Sequence, residues 1–120
     1  MNFKKKFGEE IAHPIRYYPR LANFLGSPKE GLFVSQFGYW EGKQRDEEGG
    51  FIYKKQEEIK AETGLKRSSQ ETVRRSLINK GYLIEKRGKL AGTLHFKILW
   101  DVIVDDFIEW AGTVDYDNEF

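Results

Sequence analysis

The 120-residue chain contains no cysteine, two histidines and three prolines. Without cysteine there can be no disulfide framework, thiolate zinc site, iron–sulfur cluster or cysteine nucleophile. The two histidines, His13 and His95, have no carboxylate or second histidine at ligand spacing, so no metal site is expected. Long apolar runs are also lacking. Stretches such as 31–34 and 102–104 fall far short of the roughly 18 residues a bilayer span requires, and the lysines at positions 4–6 are followed by no apolar targeting segment. The expectation is a cytoplasmic protein with no membrane partner. No G-x-S-x-G, H-E-x-x-H or P-loop pattern occurs, and the glycines of GKLAG (88–92) lack the Lys-Ser/Thr end of a phosphate cradle. Asp105 and Asp106 are helix neighbours pointing about 100° apart, so they make no facing acid pair. The reading is therefore a protein that is not an enzyme and needs no cofactor.

What the chain does have is aromatic mass and segregated charge. Three Trp, six Tyr and nine Phe make up 15% of the residues, more than so small a core comfortably holds. The formal net charge of +1 conceals an uneven distribution. Residues 54–97 carry 12 Lys or Arg against 5 Glu, whereas residues 98–120 carry 7 acids and no base. A basic segment followed by an acidic tail is a pattern that attracts a polyanion to one part of the chain only.

The chain divides into a basic arm at 1–12, expected to be partly mobile, a folded domain at 13–110 and an acidic tail at 111–120. Pro19 can open a short helix that Gly26 ends. Ser27-Pro28-Lys29-Glu30 combines an N-cap serine, a first-turn proline and a glutamate three residues after the cap, and so predicts a helix start. Leu32, Phe33, Phe37 and Trp40 recur at helical spacing and should face the core, with Glu30, Gln36 and Lys43 outward. Gly38 inside that helix suggests the close approach of another element. Residues 41–50 are charged and glycine-bounded, a loop; Phe51-Ile52-Tyr53 fits a short strand; Gly64 stops the brief helix that follows.

A second helix comes almost at once. Ser68 and Glu71 suggest another capping box, and Lys80-Gly81 closes the helix. With Val73 and Leu77 inward, Glu71, Arg74, Arg75 and Ile78 should point outward at about 100° per residue. Residues 82–86 and 93–99 read as strands of a hairpin with a basic tip at 87–92, and Asp101 can cap a last helix carrying Ile103, Phe107, Ile108 and Trp110.

The order is helix, strand, helix, tight connection, helix and hairpin. It predicts an α+β fold: a winged helix-turn-helix with a three-helix core, a β-hairpin wing and an extra helix at each end. In such a fold the second helix of the pair enters the major groove of double-stranded DNA, where Arg pairs with guanine and Gln with adenine. Gln70 and Arg74 are the candidates for base edges. Lys66, Arg67, Ser69 and Arg75 on that helix, with Arg87 and Lys89 in the wing and Lys54 or Lys55 before the first helix, are candidates for the DNA backbone. The competing reading makes Arg67, Glu71, Arg74 and Arg75 a solvated ladder of exposed ion pairs. Lys4, Lys5 and Lys6 could reach a minor groove or simply solvate the arm. The surplus rings leave open a homodimer through the terminal helices.

The segments HPIRYYPRLANFLGS, GLFVSQFGYW, FIYKKQEEIKAETGL and SSQETVRRSLINKGYLIEK resemble the amino-terminal winged-helix domain of replication proteins carried by bacterial phages and mobile elements, including replisome organisers of the DnaD-like type. The likeness spans residues 13–99. It implies origin binding, self-association through this domain, and recruitment of helicase or primase loading proteins, with Gln70, Arg74 and Arg75 on the recognition helix and residues 87–92 on the wing. Two functions follow as expectations: sequence-specific duplex binding in replication initiation or transcriptional regulation, or a protein-interaction module of a replisome assembly that does not touch DNA itself.

Overall fold

The structure is a computed structural model that describes residues 2–41, 50–88 and 93–114. Helix α1 (Phe3–Phe7) leads into a 3-10 turn (Gly8–Ile11), followed by α2 (Pro19–Leu25), α3 (Pro28–Trp40), β1 (Ile52–Lys55), α4 (Gln56–Thr63), α5 (Arg67–Asn79), β2 (Leu83–Arg87), β3 (Thr93–Ile98) and α6 (Trp100–Ala111). The class is α+β, as expected. The three strands form one antiparallel sheet in the order β1-β3-β2, with Ile52 opposite Phe96 and Leu83 opposite Ile98. No helix among the described residues is long and apolar enough to cross a membrane.

Local chemistry accounts for most boundaries. Pro19 stands in the first turn of α2, and Gly26 ends that helix at φ 105°, a left-handed value, its N–H donating to the Ala22 carbonyl at 2.8 Å. Ser27 Oγ then accepts the Glu30 N–H at 3.1 Å and starts α3. At the head of α4 the Lys55 N–H donates to Glu58 Oε1 at 3.1 Å, and Gly64 closes the helix at φ 78°. Only 64–66 separate α4 from α5. Helix α5 then packs against α3 and against β2.

Phe33, Val34, Phe37 and Trp40 of α3 are wholly buried. Phe96 of β3 meets Phe33 and Phe37 edge-on, at centroid distances of 6.1 and 5.6 Å. Each such contact adds about 0.5–1.5 kcal/mol beyond the area buried. Ile52, Ile59, Leu77, Leu83 and Ile98 belong to the same core, with Leu25, Leu65, Val73, Tyr82, Leu94 and Ile103. A smaller aromatic cluster holds α6 in place: Phe24 packs against Phe107 and Trp110 at 5.5 and 5.6 Å, and Tyr82 donates to Asp106 Oδ2 at 2.8 Å.

Several expectations fail here. Glu30 and Gln36 of α3 are buried rather than outward; Lys43 lies outside the described residues. Glu30 Oε1 accepts from Ser76 Oγ at 2.7 Å and Lys80 Nζ at 2.8 Å, and its Oε2 accepts from Ser27 Oγ at 3.0 Å, so this carboxylate pins α5 to the head of α3. The close helix approach belongs to Gly31, not Gly38. A Cβ at Gly31 would stand 2.6 Å from Ala22 Cβ, while one at Gly38 would meet nothing within 4 Å. Helix α5 starts at Arg67, one residue before the expected cap, so Ser68 lies inside it. Leu99 rather than Asp101 precedes α6, and Ile108 of that helix is 64% exposed. Residues 3–7, for which the sequence offered no periodicity, form a short exposed helix capped by Asn2 Oδ1.

Candidate nucleic-acid interface

The sides of α5 are set by what packs on them. Gln70, Val73, Arg74 and Leu77 are its buried residues. Their spacing of three, one and three is the helical inward period, with polar side chains at two of the four positions. Ser69 and Ser76 lie on the flank toward α3, where Ser69 Oγ accepts from Lys29 Nζ at 3.0 Å and Ser76 meets Glu30. Arg67 and Glu71 lie on the flank toward β2, paired with each other at 3.3 Å. Ser68, Thr72, Arg75, Ile78 and Asn79 remain, all exposed, and the polar four stand one above another on the side opposite the core.

Both base-reading candidates are thereby overturned. Gln70 is 0% exposed, and its side-chain amide donates to the carbonyls of Leu65 at 2.8 Å and Gln56 at 3.1 Å, tying the α4–α5 connection to the start of α4. Arg74 is 8% exposed, and its Nε stands 2.5 Å from Glu85 Oε1 of β2. The physical reason is the sheet: β2 packs on the flank of α5 that a stripe centred on Val73 and Leu77 alone leaves open. Lys54 is corrected in the same way. It alternates inward on β1, where Glu62 Oε2 accepts its ammonium at 2.7 Å and the Trp40 ring lies 5.0 Å from the nitrogen. A buried cation held by a carboxylate and a ring has no reach to an external phosphate.

The other candidates lie at the surface. Lys66, Arg67, Arg75 and Arg87 are exposed, as is Lys55 at the head of α4. Ser69 is half-buried beside Lys29. Lys89, with the rest of the wing tip at 89–92, lies outside the described residues. The ion-pair ladder survives as a single rung, Arg67 to Glu71, since Arg74 turns inward instead. Sequence reasoning missed Ser68, Thr72 and Asn79 as partners of Arg75, and it missed Lys29. The spacing of four, three and four along 68, 72, 75 and 79 was the available signal.

Behind α5, Tyr82 follows the helix end, its N–H donating to the Leu77 carbonyl at 2.9 Å. Burial first, then the hydrogen bond and the charge of Asp106, push its hydroxyl up to about 12. On the far side of α3 a groove of about 890 Å³ runs between the extended segment at 12–18 and α3, with Gly38, Tyr39 and Trp100 among its lining. No protein-family model, curated protein sequence or solved structure matches the chain.

Proposed function

We propose that this chain is a winged-helix protein that binds double-stranded DNA, with α5 as the helix entering the major groove and β2–β3 as the wing. The observation that carries the reading is the stripe Ser68, Thr72, Arg75 and Asn79. It is an exposed, hydrogen-bonding face, bordered by Ile78 and flanked by the cations Lys29, Lys66, Arg67 and Arg87. Arg75 and Asn79 have the side chains that pair with guanine and adenine edges, and the flanking cations suit the phosphates on either side. Support also comes from the order of elements and from the sheet order β1-β3-β2, which sets the two-stranded ribbon beside α5. The cellular role that fits the resemblance is replication initiation or transcriptional regulation in a phage or mobile element.

Duplex binding measured across a salt series tests this. Neutralisation by about five cations gives a log–log slope of about −4.5, which is a loss of about 500-fold between 50 and 200 mM salt. Salt-independent binding, or none, would remove the reading.

A second reading is favoured by a separate observation. Val104 and Ile108 stand exposed one turn apart on α6, beside Asp101, Asp105 and Glu109, and the groove over Gly38 is open. These are surfaces of an assembly module that pairs with a second copy or with helicase or primase loading proteins. Sedimentation as a monomer at all concentrations would exclude the homodimer.

A further inference from the structure

Arg74 was displaced from the base-reading role by its burial, and that burial gives it a different setting. Between the first two turns of α5 and strand β2 lies a pocket of about 180 Å³. Against roughly 30 Å³ for a liquid water, and at least 300 Å³ for drug-sized ligands, it holds one small group with a few waters. Its lining is almost wholly polar. Arg67, Arg74, Lys86 and Arg87 outnumber the carboxylates Glu71 and Glu85 by two. The side chain of Arg74 is only 9% exposed, and it forms part of the floor.

The Arg74–Glu85 contact is close in distance yet poorly directed. Arg74 Nε and Nη1 and Glu85 Oε1 are all buried without an aligned hydrogen-bond partner. Buried guanidinium nitrogens are ordinarily satisfied, so a charged cluster with spare donors beside a cavity is one that an oxyanion can complete. Of the other lining cations, Lys86 stands 4.2 Å from the Phe51 ring and Arg67 pairs with Glu71 at 3.3 Å.

We infer that this pocket is a seat for a single phosphate group, with Arg74 as its floor and Arg67 and Arg87 at its rim. The chemistry is shared by a phosphate of a duplex backbone and by free inorganic phosphate. The pocket lies on the β2 flank of the stripe at 68, 72, 75 and 79, where a strand bordering the groove would pass. The backbone assignment rests on the proposed duplex binding, whereas the seat itself does not.

The test follows the arginine Nε–H resonances of the full chain by NMR during titration with inorganic phosphate and, separately, with a short duplex. Phosphate shifts Arg74 along a saturable curve, and the duplex shifts the same resonance. Arg87→Gln, an exposed change that spares the fold, weakens phosphate about fivefold. Glu85→Gln removes the competing carboxylate and tightens it several-fold. Arg75→Ala weakens the duplex and leaves phosphate unchanged. A response to phosphate but not to duplex upholds the seat and assigns it to the free ion, and duplex binding itself is then judged by the salt series and Arg75→Ala alone. An Arg74 resonance indifferent to phosphate, or phosphate affinity unmoved by both Arg87→Gln and Glu85→Gln, overturns the seat even where the duplex still binds.

Discussion

Helix α5 carries polar residues on both of its sides, and the two sets differ in everything except composition. On the inner side Gln70 and Arg74 are sealed against α4 and β2 by specific partners. On the outer side Ser68, Thr72, Arg75 and Asn79 face water. A buried polar group that loses its partner costs about 1–3 kcal/mol, whereas an exposed one costs almost nothing to the fold. The inner set therefore positions the helix, with Arg74 alone of the two also lining the pocket beside β2, and the outer set faces outward for a ligand. Polarity alone does not distinguish them; the neighbouring strand does.

The sharpest way to break this contrast is on the inner side. Glu85→Ala leaves the buried Arg74 guanidinium without its carboxylate and should cost about 2–3 kcal/mol in denaturant unfolding. That is below the 3–5 typical of full burial, because Glu85 keeps a quarter of its side chain exposed. Replacing both partners together, Arg74→Met with Glu85→Leu, should recover most of that loss. Gln70→Ala removes the side-chain donations to the Leu65 and Gln56 carbonyls and opens space beneath α5, for a loss of about 2 kcal/mol.

High pH probes the same interior through Tyr82. Its hydroxyl ionises near 10 when unfolded and at about 12 when folded, so the folded state holds the proton more tightly. The resulting stability is fully present below pH 10 and is lost as pH rises from 10 to 12. Its size is on the order of 1–2 kcal/mol. In Tyr82→Phe that alkaline decline should be absent from the unfolding profile. The smallest effects on stability belong to the outer stripe: Thr72→Ala and Asn79→Ala should stay within about 0.5 kcal/mol of the parent while each weakens duplex binding about tenfold.

Much of this architecture was legible in the sequence, because its signals are local. Pro19 with Gly26, Ser27 with Glu30, and Gly64 each mark a boundary through their own backbone geometry, and the alternation through Leu94, Phe96 and Ile98 gives both the strand and its buried side. The burial of Gln70, Arg74, Lys54 and Glu30 was not legible, because each is decided by a residue distant in sequence: Gln56, Glu85, Glu62 and Lys80. Charged side chains default to the surface in any sequence reading. These four sit inside because tertiary partners meet them there. Of the residues expected to point outward on α5, Arg75 and Ile78 are exposed, whereas Arg74 is buried against Glu85.

The most direct test is fluorescence anisotropy of a labelled duplex with the parent chain and with Arg75→Glu, at a fixed salt concentration of about 100 mM, with the thermal midpoint of each protein recorded alongside. Reversing one charge at the centre of the outer stripe should weaken binding about 30-fold or more and leave the thermal midpoint unchanged. Duplex affinity equal to that of the parent would contradict the assignment of that face to DNA.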